Sequence, residues 1–243
     1  MNDARFAVYF VPPSNSGLYE LGASLLGYDC YSGEGRHRPA DLRLEPQEWE
    51  GLTRAPRTYG FHATMKAPFR LQPTCTEAEL TAAFHDFAVG MYVPPAINPV
   101  VGELGRFIAI LPAHPCPAVD QLAADCVTAF DRFRRPAPAA ERERRMAAGL
   151  SARQIAHLDQ WGYPYVLEDF RFHMTLTGPI PAERRAAILM LLRQRFAEVT
   201  GPLPIDALVL ACQESGTARF RVMARAALGE HHRRTDLPAT SQP

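Results

Sequence analysis

At 243 residues the chain is long enough for one large domain or two small lobes around a sizeable core, and 47% hydrophobic with 21% charged residues is the balance of an ordinary globular protein. Its 26 basic and 26 acidic side chains cancel to a net charge of zero, which argues against an extended nucleic-acid footprint while leaving room for a locally basic pocket around one phosphate. Five scattered cysteines form no Cys-x-x-Cys pair, no run approaches the ~18 apolar residues of a membrane span, and no signal-peptide pattern opens the chain, so the expectation is a cytoplasmic protein without zinc cage or disulfide framework.

The first expected element is a strand over 5–12, "RFAVYFVP", rich in β-branched and aromatic residues and stopped by Pro12-Pro13. Leu18, Leu21, Leu25 and Leu26 mark a helix over 15–26. The mixed stretch from Gly27 to Arg57 reads as loop with one helical turn near Pro46–Trp49. Next comes "YGFHATMKAPF", 59–69, an extended segment with a His-x-Thr motif. Thr76-Glu77-Ala78-Glu79 has capping-box spacing and opens a helix with Leu80, Phe84, Phe87 and Ala88 on one face. Strands over 97–101 and 105–111 form a hairpin, and a helix over 118–133 carries Val119, Leu122, Cys126, Val127, Phe130 and Phe133.

Residues 134–165 have no counterpart in the first half and read as an insertion, in which Ser151 to Gln154 cap a short helix. A second His-x-Thr strand, "FRFHMTLTGPI", 170–180, is followed by a helix from about 182 to 199 and by a second hairpin. The tail 229–243 is polar and expected to be frayed. Each His-x-Thr strand thus has a helix before it and a helix plus hairpin after it. The expectation is one bilobal domain over 1–243, with a first lobe near 1–104 and a second near 105–228.

Side chains alternate along a strand. Tyr59, Phe61, Ala63 and Met65 therefore share one face, and Gly60, His62, Thr64 and Lys66 the other. Likewise Phe170, Phe172, Met174 and Leu176 oppose Arg171, His173, Thr175 and Thr177. Two lobes facing each other would bring two imidazoles and two hydroxyls together, with Lys66 and Arg171 nearby. That set suits a phosphodiester. One neutral imidazole deprotonates the attacking oxygen, the other protonates the leaving oxygen, and threonine hydroxyls donate to the non-bridging oxygens. No metal or other cofactor is required, and neither strand offers a third zinc ligand.

The two motifs, with "PRTYGFHATMKAPFRL", "FDRFRRP", "WGYPYV" and the second strand, resemble the two-histidine (2H) phosphoesterase superfamily. Within it they look like an uncharacterised branch found beside phosphonate-degradation (carbon–phosphorus lyase) genes, over roughly residues 5–228. The resemblance implies a duplicated α/β (α+β) fold with two mainly antiparallel sheets about a groove. It also implies a metal-independent phosphodiesterase with catalytic His62, Thr64, His173 and Thr175 and a small phosphodiester as partner. Its substrate would be a ribose cyclic phosphate from phosphonate breakdown, or alternatively a nucleotide 2′,3′-cyclic phosphate or an RNA end.

A reading of another class is a non-catalytic phosphosugar-binding regulator, which would tolerate loss of either histidine. Around the site, Lys66 and Arg171 bind the phosphate or sit at a solvated edge, and Tyr9 and Tyr163 are candidates to line the groove. The arginine run beginning at Arg132 reads first as a solvated helix face. The alternative is a lid whose Arg134, Arg135 or Arg145 closes on a second phosphate.

Overall fold

The protein is described here from a computed structural model covering residues 4–39, 42, 44–90, 93–147, 149–199 and 201–229. Apart from Gly229, the expected polar tail lies outside the described residues. The first strand, β1 (Arg5–Phe10), is buried from Phe6 to Phe10. Pro12-Pro13 ends it, and the Ser16 side chain accepts from the Tyr19 amide to start α1 (Gly17–Leu26). That helix ends on Gly27, whose φ of 70° supplies the left-handed cap.

The expected single turn near Pro46 is instead a three-turn helix, α2 (Pro46–Arg57). Pro46 sits in its first turn, where a missing N–H costs nothing, and Trp49, Thr53 and Pro56 form its buried stripe. Pro56 looks like a breaker in the sequence, yet the helix continues one residue past it.

After β2 (Ala63–Phe69), the capping box expected at Thr76 and Glu79 opens α3 (Glu77–Val89), both reciprocal hydrogen bonds being present. A two-residue β3 (Ala96–Ile97) precedes the hairpin of β4 (Pro99–Leu104) and β5 (Phe107–Pro112). Then follow α4 (Pro117–Asp131), the insertion helices α5 (Ala139–Met146) and α6 (Ala152–Trp161), and β6 (Met174–Thr175). The chain continues through α7 (Ala182–Phe196), β7 (Leu203–Pro204), β8 (Ala207–Gln213) and β9 (Arg221–Ala227).

The expected mixed class, helices with antiparallel sheet, is what the chain adopts. Its main sheet has seven strands in the order β4-β5-β6-β2-β1-β8-β9, and every neighbouring pair is antiparallel. β3 and β7 form a separate two-stranded ladder.

Two features differ from the simplest duplicated picture. The two halves join edge to edge through β2 and β6, so the strands form one continuous sheet rather than two separate ones. The hairpins also cross over: β8–β9 extends the sheet beyond β1, whereas β4–β5 lies beside β6. The β2–β6 seam is short. Leu176 and Thr177 both donate to the one carbonyl of Ile108, at 2.9 and 3.2 Å, which ends regular pairing after Thr175.

Candidate active site

The seam places the two His-x-Thr motifs. Ala63 pairs with Met174 across antiparallel β2 and β6, and both side chains are fully buried. In antiparallel register, one step either way sets His62 opposite Thr175 and Thr64 opposite His173. All four then stand on the face away from Ala63 and Met174. Phe61, Ala63, Met65, Phe170, Phe172, Met174 and Leu176 are buried, while His62, Thr64, His173 and Thr175 keep partial exposure. The histidines are diagonal neighbours on one face, a relation that puts side chains about 7–8 Å apart.

Both rings are held in the same way. Nδ1 of His62 lies 2.9 Å from the carbonyl of Gly60, and Nδ1 of His173 lies 2.7 Å from the carbonyl of Arg171. A carbonyl only accepts, so Nδ1 carries the proton in each and Nε2 is left for chemistry. Nε2 of His62 is 3.1 Å from the Thr64 hydroxyl, which donates to it when the ring is neutral. Gly60 is a backbone requirement as well as a hydrogen-bond partner. Its φ is +76°, and a Cβ there would fall 2.7 Å from Cβ of Cys30.

Burial, followed by the nearby His173, lowers the His62 pKa to about 4 against the stabilising bond from Gly60. Burial also lowers that of His173. Both rings are therefore biased towards the neutral form until an anion arrives, since a negative charge within a few ångströms favours the imidazolium.

Aromatic side chains wall this face. Tyr9 is opposite Thr64 in the β1–β2 register, and its ring centroid is 3.9 Å from that of His62. Its hydroxyl is buried without a hydrogen-bond partner among the described residues. Phe107, on β5, lies 5.7 Å from the His173 ring and flanks it as Tyr9 flanks His62.

Phe220 stacks on Tyr59 at 5.4 Å and approaches Tyr9 at 5.9 Å. Tyr163, from the end of the insertion, lies near Tyr9 and Tyr59; burial first, and then these neighbouring phenols, raise the pKa of the Tyr9 and Tyr163 hydroxyls. The Arg145 guanidinium lies 5.4 Å from the Tyr163 ring. Alternation put Tyr59 on the far face, but the positive φ at Gly60 breaks the strand geometry, and Tyr59 comes within 6.1 Å of His62. Phe107 and Phe220 carried no motif in the sequence to mark them.

Three expected substrate contacts lie elsewhere. Tyr9 pairs with Thr64 and Val8 with Lys66, so Met65 is an extra residue in β2. This bulge turns Lys66 to the Val8 side of the sheet, against α4. There Lys66 is 3% exposed and donates to the Val127 carbonyl at 2.9 Å and to Asp131 at 3.2 Å.

Arg171 precedes the paired part of the strand, so alternation does not govern it. Its guanidinium donates to the Phe170 carbonyl at 2.7 Å and lines a separate surface cavity with Asp120 and Glu168. Its contribution to the site is its backbone carbonyl. Arg134 forks onto Asp131 at 2.7 and 3.2 Å and donates to the Gln160 carbonyl at 2.8 Å, tying α4 to α6.

Among the described residues no helix is long and apolar enough to cross a membrane, and no group of three or more His, Cys, Asp or Glu side chains is arranged to hold a metal ion.

Comparison with known proteins gives one family match, described as "Protein of unknown function (DUF1045)", over residues 64–221. The chain is 36% identical over 240 residues to the Ribose 1,5-bisphosphate phosphokinase PhnN of Janthinobacterium sp. (strain Marseille), covering 96% of this chain and 53% of that protein. It is 32% identical over 229 residues to the protein of the same name from Laribacter hongkongensis (strain HLHK9), covering 90% and 50%. The chain thus spans about half the length of the curated relatives it matches. A crystal structure of a phosphoesterase aligns over 93% of this chain and 98% of its own, with 13% identity and a TM-score of 0.39.

Proposed function

The chain belongs to the DUF1045 family of proteins of unknown function, and we propose that it is a metal-independent phosphodiesterase of the two-histidine type, opening a small cyclic phosphodiester built on ribose. The observation that carries this reading is the antiparallel seam, which sets each His opposite the other motif's Thr, with Nδ1 of each ring anchored on a backbone carbonyl and Nε2 of His62 engaged by the Thr64 hydroxyl that a ligand would displace. A diester bound on that face lies between two imidazoles. Neutral His62 takes a proton from water at Nε2 as the water oxygen bonds to phosphorus. His173, protonated once the anion is bound, gives its Nε2 proton to the departing sugar oxygen as that P–O bond breaks. The products are a phosphate monoester and a free hydroxyl. As His62 takes that proton, the Thr64 hydroxyl turns from its Nε2 to a non-bridging oxygen, and Thr175 donates to the other.

The kinase name carried by the longer relatives does not transfer readily to these residues. Lys66 is the only lysine in the chain, it follows no Gly-x-x-x-x-Gly run, and it is buried against α4. The ribose bisphosphate in those names supports a ribose phosphate as the ligand class.

A panel of cyclic and linear phosphodiesters, assayed with wild type, His62→Ala and His173→Ala, tests the reading. Ring opening that survives EDTA and is lost in both variants is expected. Turnover that EDTA abolishes and zinc or manganese restores, or that persists in both variants, would overturn it.

A further inference from the structure

Between the β1–β2 end of the sheet and the insertion lies a cavity of about 340 Å³ where, among the described residues, Arg5, Arg70, Arg134 and Arg135 meet one lining carboxylate, Glu141. The positive charge is only partly answered. Arg134 is committed to Asp131 at 2.7 Å. Glu141 is shared by Arg145 at 3.0 Å and Arg70 at 3.9 Å. Arg5 donates through Nε to the neutral amide of Gln213 at 2.6 Å. Among the described residues neither Arg5 nor Arg135 has a carboxylate within ion-pair distance. Nε of Arg145, beside this cluster, is buried without a hydrogen-bond partner. Partly buried guanidiniums lacking counter-charge are costly, and an arriving oxyanion relieves that cost with bidentate, charge-assisted bonds.

The cavity is tied to the histidine face through Arg5, its lining residue on β1. Arg5 is four residues before Tyr9 on the same face of β1, roughly 13 Å along the strand. Its guanidinium lies 5.4 Å from the Phe220 ring, which is 5.9 Å from Tyr9, itself 3.9 Å from His62. A ligand that reached both places would pass the Phe220 and Tyr9 rings. We propose that this cavity is a second anion subsite, and that the ligand carries a phosphate monoester seated on Arg5 and Arg135 in addition to the diester at the histidines. This rests on the phosphodiesterase reading for the diester, but not for the monoester.

The test pairs a ribose cyclic phosphodiester bearing a 5-phosphate with its unphosphorylated analogue, using wild type, Arg135→Gln and Arg135→Lys. Changing the Arg135 side chain spares its backbone bond to Arg70, and a melting curve checks folding. The preference for the phosphorylated diester, as a ratio of kcat/KM, is expected to fall roughly 10–100-fold in Arg135→Gln, with partial return in Arg135→Lys. An unaltered ratio overturns the subsite.

If wild type turns over neither diester, the catalytic reading has failed and calorimetry decides the subsite alone. Ribose 5-phosphate binding that weakens in Arg135→Gln and not in His173→Ala supports it; the reverse pattern overturns it. Inorganic phosphate binding as tightly as ribose 5-phosphate overturns the sugar-phosphate assignment.

Discussion

At His62 the packing of Tyr9 and the approach of His173 disfavour the imidazolium, while the Gly60 carbonyl fixes which nitrogen keeps its proton. If His62 is the base, it stays competent down to a pH of about 4. His173 must be protonated to act as the acid, and its pKa is also lowered from 6.5. The kcat/KM of the free enzyme is therefore expected to peak on the acid side of neutrality and to decline as pH rises through the His173 pKa. A maximum above pH 8 would contradict this assignment. Stability has its own pH signature. Between about 4 and 6.5 the unfolded chain binds a proton at His62 that the folded chain does not, so stability rises with pH across that window and is lost as pH falls towards 4. Denaturant titrations should show this slope in wild type and a smaller one in His62→Ala. His62→Ala and His173→Ala should each cost roughly 10²–10⁴ in turnover, with a double variant far from additive. Gly60→Ala should destabilise by about 1–3 kcal/mol through its positive φ and its clash with Cys30, and should lower turnover by displacing the His62 anchor.

The bulge at Met65 divides what alternation could foretell along β2 from what it could not. Period-two sorting places Phe61 to Met65 correctly, around a centre where β1 pairs with Ala63 and Thr64 and β6 pairs with Ala63. It fails one residue later, since nothing in "ATMKAPF" announces an extra residue opposite Val8. Arg171 is misplaced for a related reason: only Met174 and Thr175 of the second segment are strand, and alternation has no meaning outside a ladder. Helix α2 was hidden by Pro56 and by a stripe of only Trp49, Thr53 and Pro56. The capping boxes at Thr76 and Ser151 were legible because both partners lie within four residues of sequence. The corrected place of Lys66 yields a prediction that separates element from site. Lys66→Met removes a donor from the Val127 carbonyl and a partner from Asp131, which keeps Arg134. It should cost about 1–3 kcal/mol in thermal or denaturant unfolding while leaving kcat/KM within about threefold. A loss of turnover without a loss of stability would return Lys66 to the site.

The crossed hairpins leave no local trace in the sequence, because β1 pairs with β8 across more than two hundred residues and either order of edge strands has the same alternation. What the duplicated pattern did reveal was an extra segment without a counterpart, and the whole molecule gives that segment a position. Residues 134–165 hold α5 and α6, anchor through Arg134 to Asp131, form one wall of the basic cavity, and bring Tyr163 towards Tyr9 and Tyr59. A segment that walls a groove excludes water and adds contacts to ligand groups remote from the reacting bond. The seam between β2 and β6 would then set the chemistry and the insertion the choice of substrate. Replacing residues 134–165 with a short Gly/Ser linker should depress kcat/KM for a phosphorylated ribose cyclic diester by 10-fold or more beyond any loss on bis(p-nitrophenyl) phosphate, an activated diester with no second phosphate. Circular dichroism and a melting curve must show the sheet intact for the comparison to count. Where removal of the Arg134–Asp131 tie unfolds the protein, the milder Tyr163→Ala variant asks the same question from inside the fold. Equal losses on both diesters in a folded variant would make the insertion a scaffold and leave selection to the aromatic walls of Tyr9, Phe107 and Phe220.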